Sequence, residues 1–296
     1  MSKPQHSPAV ESALTSETQS DDAPAERTDG ASFAGEDLRI GYHGAEEPVI
    51  DGESLAAAPG QVTALVGPNG SGKSTLLKGL ADQLEPEAGT VHLDGRDIQS
   101  VGPKELAKQL GLLTQENVAP ESITVEKLVE HGRYPHRGFF DGLREDDIAA
   151  IERAIDLAGI EHLREREVSS LSGGQKQLVW IAMILAQETD VLLLDEPTTF
   201  LDLHHQLEVM EIIETLRDES DMTIVVVLHD LQQAARHADY MLALSDGSIL
   251  SRGRPEEVVT EELLAEVFGI EASVTPTEHG PQITPLQPLH GDASDE

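Results

Sequence analysis

The stretch GPNGSGKST, Gly67 to Thr75, constrains this chain more than any other feature. It satisfies the pattern G-x-x-x-x-G-K-[ST] through Gly67, Gly72, Lys73 and Ser74. The preceding residues QVTALV form a short apolar, β-branched run that predicts a strand, and TLLKGLADQL after it has helical apolar spacing. In a strand–loop–helix setting, the loop of Gly67, Pro68, Asn69, Gly70, Ser71 and Gly72 can curl so that its N–H groups face phosphate oxygens. The following helix adds the positive end of its dipole. Lys73 is then expected on the β- and γ-phosphates, the Ser74 hydroxyl on Mg²⁺, and Thr75 beside it in the cradle. Glycine loops also join strands to helices without binding anything, but such a joint does not need the lysine.

The order of elements around this loop predicts an α/β fold. From EDLRIGY to VHLDGRDI short strands alternate with turn signals such as PG, EAG and LDG. A helix-rich segment follows, from about Thr124 to Ala186. Strand and helix then alternate again through DVLLLDEP, LHHQLEVMEIIETLRDE, TIVVVLHD and YMLALSDG, as expected of parallel βαβ units split by a helical insertion. Residues 1–34, rich in Ser, Ala, Pro, Asp and Glu, read as a disordered acidic leader. Residues 271–296 read as a loose, acidic, Pro-rich tail.

Two buried-looking strands end in chemistry. VLLLDEP delivers Asp195 and Glu196 at the carboxyl end of an apolar run, where ligands sit in open α/β sheets. Asp195 is expected in the Mg²⁺ shell and Glu196 on the attacking water; a solvated turn would account for the pair equally well in isolation. TIVVVLHD ends in His229, which could donate to a γ-phosphate or merely cap the strand. Gln115, in GLLTQEN, is a further polar group at a strand end. Tyr42, upstream of the loop, could stack on adenine or sit in the core or at a sheet edge.

GPNGSGKST, Gln115, LSGGQ, VLLLDE, Leu201–Asp202 and His229 stand in the order and spacing of an ABC-transporter ATPase, and the chain resembles that family from about Asp37 to Ile270. The resemblance implies a P-loop NTPase (RecA-like) core with a mixed sheet, an N-terminal antiparallel β-subdomain and an inserted α-helical subdomain. The cassette would span residues 35–270 and the insertion about 116–175. It implies that ATP and Mg²⁺ are bound, with Gln115 both a metal ligand and a member of the catalytic set alongside Glu196 and His229. Ser172, Gly173, Gly174 and Gln175 of LSGGQ, with Asp202, would contact the nucleotide held by a second copy, making the working unit a homodimer. EHGRYPHRG and LAQETDVLLLDEPTTFLD resemble the importer ATPases for ferric siderophores, haem and cobalamin, with siderophores first. Two membrane permease subunits, an external binding protein and a place on the cytoplasmic face of the membrane are implied with it. Intact Glu196 and His229 speak against a non-hydrolytic scaffold, and a single cassette without a long coiled coil against a soluble translation or repair protein.

Fifty-five acidic residues against 20 basic ones give a formal net charge of −35, a field that repels nucleic acid and anionic lipid. The carboxylates run through segments with the apolar periodicity of folded helices, so tails alone do not explain them. Only seven of the 20 basic residues are lysine. Such a surface resembles that of proteins from salt-in halophiles, although an acidic mesophile protein could share it. At molar salt the Debye length is about 3 Å, and self-repulsion is screened. Lowering KCl to about 0.1 M lengthens screening to about 10 Å and is expected to lower the melting midpoint. A midpoint that stays flat or rises as salt is removed overturns the halophilic reading.

Overall fold

Short, wholly apolar runs build the centre of the computed structural model, which describes residues 30–120, 122–138 and 141–289. Strands β1 (Phe33–Ile40), β2 (Ile50–Ala57) and β3 (Val62–Val66) come first, then helix α1 (Lys73–Leu80). Strands β4 (Ala88–Leu93) and β5 (Arg96–Asp97), helix α2 (Pro103–Leu106) and strand β6 (Leu110–Leu113) follow. The chain then leaves the sheet for α3 (Val125–Glu130), α4 (Glu145–Leu157) and α5 (Gly173–Leu185). It returns through β7 (Val191–Asp195), α6 (Leu203–Ser220), β8 (Thr223–Val227), α7 (Leu231–His237), β9 (Tyr240–Ser245) and β10 (Ser248–Gly253). Helices α8 (Pro255–Val258) and α9 (Glu261–Phe268) and strands β11 (Ile270–Thr277) and β12 (Gly280–Pro288) close the fold.

The large sheet has the order β10-β9-β3-β8-β7-β6, parallel from β9 to β6 with β10 antiparallel at one edge. A second, antiparallel sheet has the order β2-β1-β4-β5. This is the mixed, P-loop architecture with its antiparallel subdomain that the sequence predicts. The alternation of side chains along each strand divides the core in two. Val62, Ala64, Leu192, Leu194, Ile224 and Val226 face the layer of α5 and α6. Leu65, Val191, Leu193, Val225 and Val227 face the antiparallel sheet and Leu76, Leu77 and Leu80 of α1. Both faces are covered, which is why these strands read as continuous apolar runs.

The helical insertion lies between β6 and β7, which are adjacent in the sheet. Its expected boundary at residue 175 falls inside α5, because that helix opens in the insertion and continues into the core, where Val179 and Ala182 are fully buried. The HGRYPH segment fastens the far end of α5. Gly132 approaches so closely that a Cβ there would lie 2.1 Å from the Met183 carbonyl oxygen. The Arg133 guanidinium donates to the Ala186 carbonyl at 2.9 Å, and His136 Nε2 donates to the Gln187 carbonyl at 2.7 Å. These basic groups satisfy carbonyls that the helix end leaves without partners and complement its negative dipole end.

The expected leader falls largely outside the described residues, and Phe33 and Ala34, placed in it by the sequence, already belong to β1. The loose tail is corrected over its described part, where β11 and β12 form an antiparallel hairpin; residues 290–296 lie outside the described residues. Its prolines misled the reading. In a two-stranded ribbon both strands are edges, so Pro276, Pro281, Pro285 and Pro288 can be accommodated. The hairpin is pinned by Gln232, whose Nε2 donates to the Pro281 carbonyl and whose Oε1 accepts from the Ile283 amide. Val274 and Ile283 pack on the core.

Arg133 is 4% exposed and its Nε lies 3.0 Å from Asp147 Oδ1, with Glu188 on its other side at 2.8 Å. Burial opposes the Asp147 charge, but the Arg144 amide and the Arg133 guanidinium outweigh it and hold the carboxyl below its ordinary range. Asp147→Asn is expected to cost about 1–3 kcal/mol by removing one of the two carboxylates that compensate the buried Arg133 charge. The lowered folded value fixes the sign of the pH effect. The wild-type advantage is fully present above the unfolded value of about 3.9 and is lost as pH falls through the lower folded one. Denaturant midpoints of the two proteins at fixed KCl check this; a gap that shrinks between pH 7 and 5 contradicts it.

Candidate active site

Four neighbouring parallel strands deliver the site from their carboxyl ends. β3 runs into the glycine loop, β6 into Gln115, β7 into Asp195 and Glu196, and β8 into His229. Their register brings the ends level, with Leu113 opposite Leu194 and Asp195 opposite Val227. A cleft of about 690 Å³ opens there, lined by Tyr42, Asn69, Gly70, Gly72, Lys73, Ser74, Thr75, Gln115, Glu196 and His229.

Gly67 must be glycine, because its φ is +149° and a Cβ would lie 2.1 Å from the Leu244 carbonyl oxygen. Gly70 and Gly72 have φ of +83° and +98°. The turn they permit brings carbonyl oxygens back onto Lys73, whose Nζ donates to Gly67 O at 2.9 Å and Pro68 O at 2.8 Å. Ser71 Oγ lies 3.5 Å from the same ammonium. Burial lowers the Lys73 pKa, while the charges of Glu196 and Asp195 work to raise it. Ser74 Oγ donates to Asp195 Oδ1 at 2.9 Å. Burial pushes the Asp195 carboxyl up, the Ser74 hydroxyl draws it down, and neighbouring Glu196 adds to the upward push.

The Glu196 side chain is 8% exposed, and three groups fix its direction. Gln115 Nε2 donates to its Oε2 at 2.7 Å, the Thr199 hydroxyl donates to the same oxygen at 3.2 Å, and His229 Nε2 lies 2.5 Å from Oε1. Its backbone takes a φ of +53°, unusual for a residue with a Cβ, and turns the chain sharply out of β7. Tyr42 is half exposed at the mouth, its hydroxyl 3.2 Å from Thr75 Oγ1.

Thr199, missed from the sequence, is the hydroxyl three residues beyond Glu196 in DEPTT; its spacing is the signal that could have found it. Phe200 also lines the cleft, at φ +63° and with 95% of its surface exposed. The structure does not bring Ser172, Gly173, Gly174, Gln175 or Asp202 into this cleft. Ser172 caps α5: its Oγ accepts from the Gln175 amide, and the Gln175 side chain accepts from the Ser172 amide. Asp202 caps α6 and holds the His205 ring at 2.9 Å, and that ring covers Gly174.

The family model described as ABC transporter matches residues 50–199. The ferric enterobactin transport ATP-binding protein FepC of Escherichia coli (strain K12) is 43% identical over 258 residues, covering 86% of this chain and 94% of that one. The iron(3+)-hydroxamate import ATP-binding protein FhuC of Bacillus subtilis (strain 168) is 42% identical over 243 residues, covering 82% and 90%. Among solved structures, the dimeric post-hydrolysis state of the ATP-binding cassette MJ0796, bound to ADP and Pi, superposes with a TM-score of 0.66 at 26% identity, covering 75% of this chain and 98% of that one.

The two signature glycines differ in their surroundings, and this gives a paired test. A Cβ at Gly174 would lie 2.4 Å from the His205 ring, which Asp202 holds in place, whereas a Cβ at Gly173 meets nothing within 4 Å. Gly174→Ala is expected to destabilise the chain by about 1–3 kcal/mol through overpacking. Gly173→Ala, at an open helical position, is expected to stay within about 0.5 kcal/mol or gain from helix propensity. Equal melting midpoints for the two variants contradict the packing described.

Proposed function

Because the chain belongs to the ABC transporter family, we propose that it is the ATP-binding and ATP-hydrolysing subunit of an importer that takes up a ferric siderophore through separate permease subunits. The convergence of Lys73, Ser74, Gln115, Asp195, Glu196 and His229 at the ends of four adjacent strands carries the reading. The names of the two relatives support a ferric chelate as cargo over haem or cobalamin.

The glycine loop and the start of α1 receive the phosphates, with Lys73 moving from its carbonyl partners to the β- and γ-phosphate oxygens. Tyr42 at the cleft mouth stacks on adenine. The Ser74 hydroxyl, Asp195 carboxylate and Gln115 amide oxygen are hard donors, and two carboxylates side by side against one lysine leave room for another cation, so the site fits Mg²⁺. Held by these donors, Mg²⁺ would supply positive charge that offsets the charge of the phosphates. Glu196, already oriented by Gln115, Thr199 and His229, holds the attacking water and accepts its proton as the water oxygen bonds to the γ-phosphorus and the bond to the ADP oxygen breaks. His229 donates from its ring to the γ-phosphate.

Ser172 to Gln175 and Asp202 stand outside this cleft, which supports their service to the nucleotide of a second copy in a homodimer. The groove between the ends of α1 and α5, lined by Ala81, Pro103, Leu106, Leu112 and Met183, adjoins the strand that leads to Gln115 and suits a permease segment. No helix among the described residues is long and apolar enough to cross a membrane. The chain works at the cytoplasmic face of the membrane through its permeases, which receive cargo from an external binding protein.

Glu196→Gln is expected to lower steady-state ATP hydrolysis at least a hundredfold while nucleotide affinity changes less than about threefold. Lys73→Ala is expected to lose both. In cells carrying only the Glu196→Gln protein, uptake of radiolabelled ferric siderophore falls to background. Turnover near the wild-type rate refutes the assigned base, and undiminished iron uptake refutes the cargo.

A further inference from the structure

Helix α7 begins two residues after His229, and Asp230 caps it by accepting from the amides of Gln232 and Gln233. Gln233 sits one turn into the helix and uses both ends of its amide. Its Oε1 accepts from the Thr198 hydroxyl at 3.3 Å, on the loop that leaves Glu196. Its Nε2 donates to Gln206 Oε1 at 2.7 Å, and Gln206 Nε2 donates in turn to the Leu201 carbonyl at 3.0 Å. The result is an unbroken path from helix α7 through α6 to the loop of Phe200, Leu201 and Asp202.

Packing holds only part of that loop: Leu201 rests against the core, while its neighbours do not. Phe200 sits at φ +63° with its ring almost entirely exposed, and Leu203 after it is exposed as well. A bulky residue in the left-handed region carries backbone strain that surrounding bonds must offset. Gln206, on α6 and held by Gln233 of α7, supplies one such bond, and Asp202 supplies another by capping α6. Each amide has one donor end and one acceptor end occupied in series, so the polarity of the chain is fixed: Thr198 to Gln233 to Gln206 to Leu201.

We propose that Gln233 and Gln206 are positioning residues for hydrolysis, tying the Phe200–Asp202 loop to helix α7 so that the loop adopts its shape only when His229 and Glu196 hold theirs. The proposal rests on the roles given above to Glu196 and His229. Gln206→Glu keeps an acceptor for Gln233 and replaces the donor to Leu201 with a carboxylate oxygen that the carbonyl repels. Gln233→Leu removes both of its links.

The test uses the full-length chain in molar KCl, comparing wild type, Gln206→Glu, Gln233→Leu, the double variant and Glu196→Gln. The expected result is a fall in kcat of about tenfold for each single variant, with ADP affinity changed less than twofold. The double variant is expected to be no slower than the worse single one, because both lie on one path. ATP-induced dimer formation, followed by light scattering in the Glu196→Gln background, is expected to need about tenfold more ATP with either glutamine change. A purely structural role predicts instead a lowered melting midpoint with ADP affinity and kcat reduced together, and that pattern overturns the proposal. So do wild-type kcat and dimerisation in both single variants, or losses that multiply in the double one. If Glu196→Gln itself turns over ATP normally, the underlying assignment of the base has failed, a result distinct from any of these.

Discussion

Parallel pairing of β3, β8, β7 and β6 in level register is the constraint on which the rest depends. Hydrogen bonding between these strands lets one lysine, three acidic or amide groups and one histidine meet although long stretches of chain separate them. The strands are held by burial on both faces, with α5 and α6 on one side and α1 with the antiparallel sheet on the other. The polar side chains of the site gather at or just past the strand ends, where the cleft provides partners. The Ser74–Asp195 and Gln115–Glu196 hydrogen bonds then join the strand ends laterally, so that the site is preorganised by the sheet and not by its loops.

The scarcity of cations shapes how the acidic surface is managed. Arg164 meets Glu126, Glu152 and Glu161 at once, and Arg133 is shared between Asp147 and Glu188. Each arginine thus serves several carboxylates drawn from different elements, and each such group fastens the helical insertion. Lys73 feels the charges of Glu196 and Asp195 but bonds backbone carbonyls instead of bridging them. Structure and chemistry therefore draw on the same few positive charges.

Helix α5 and helix α7 are the mechanical elements that carry the site's geometry outward. α5 opens with the capped LSGGQ turn and ends in the Arg133 and His136 clamp, while Gln187 just beyond it donates to the Ala107 and Leu110 carbonyls beside β6. α7 starts at Leu231, just past the Asp230 cap that follows His229, holds Gln206 through Gln233, and holds the β11–β12 hairpin through Gln232. Of its two neighbouring glutamines, Gln233 bonds Thr198 and Gln206 beside the site and Gln232 bonds the β12 backbone at Pro281 and Ile283.

The sequence by itself determined the chemistry and the core, since both are local signals. GPNGSGKST, the apolar runs ending in Asp195, Glu196 and His229, and the LSGGQ capping box each specify a backbone shape or a buried strand from adjacent residues. The βαβ order followed because parallel strands need crossovers. Only the tertiary structure decided which of these groups meet. The Gln115–Glu196–His229 cluster, Thr199's place on it, the shielding of Gly174 by His205 and the exclusion of Ser172 from its own chain's cleft depend on side chains brought together across the sheet. The tail was misread for the same reason. Its prolines and exposed strands carry weak local preference, and its order comes from the Gln232 side chain of α7 binding the Pro281 and Ile283 backbone and from Val274 and Ile283 docking on the core, contacts that have no signature until the chain has folded.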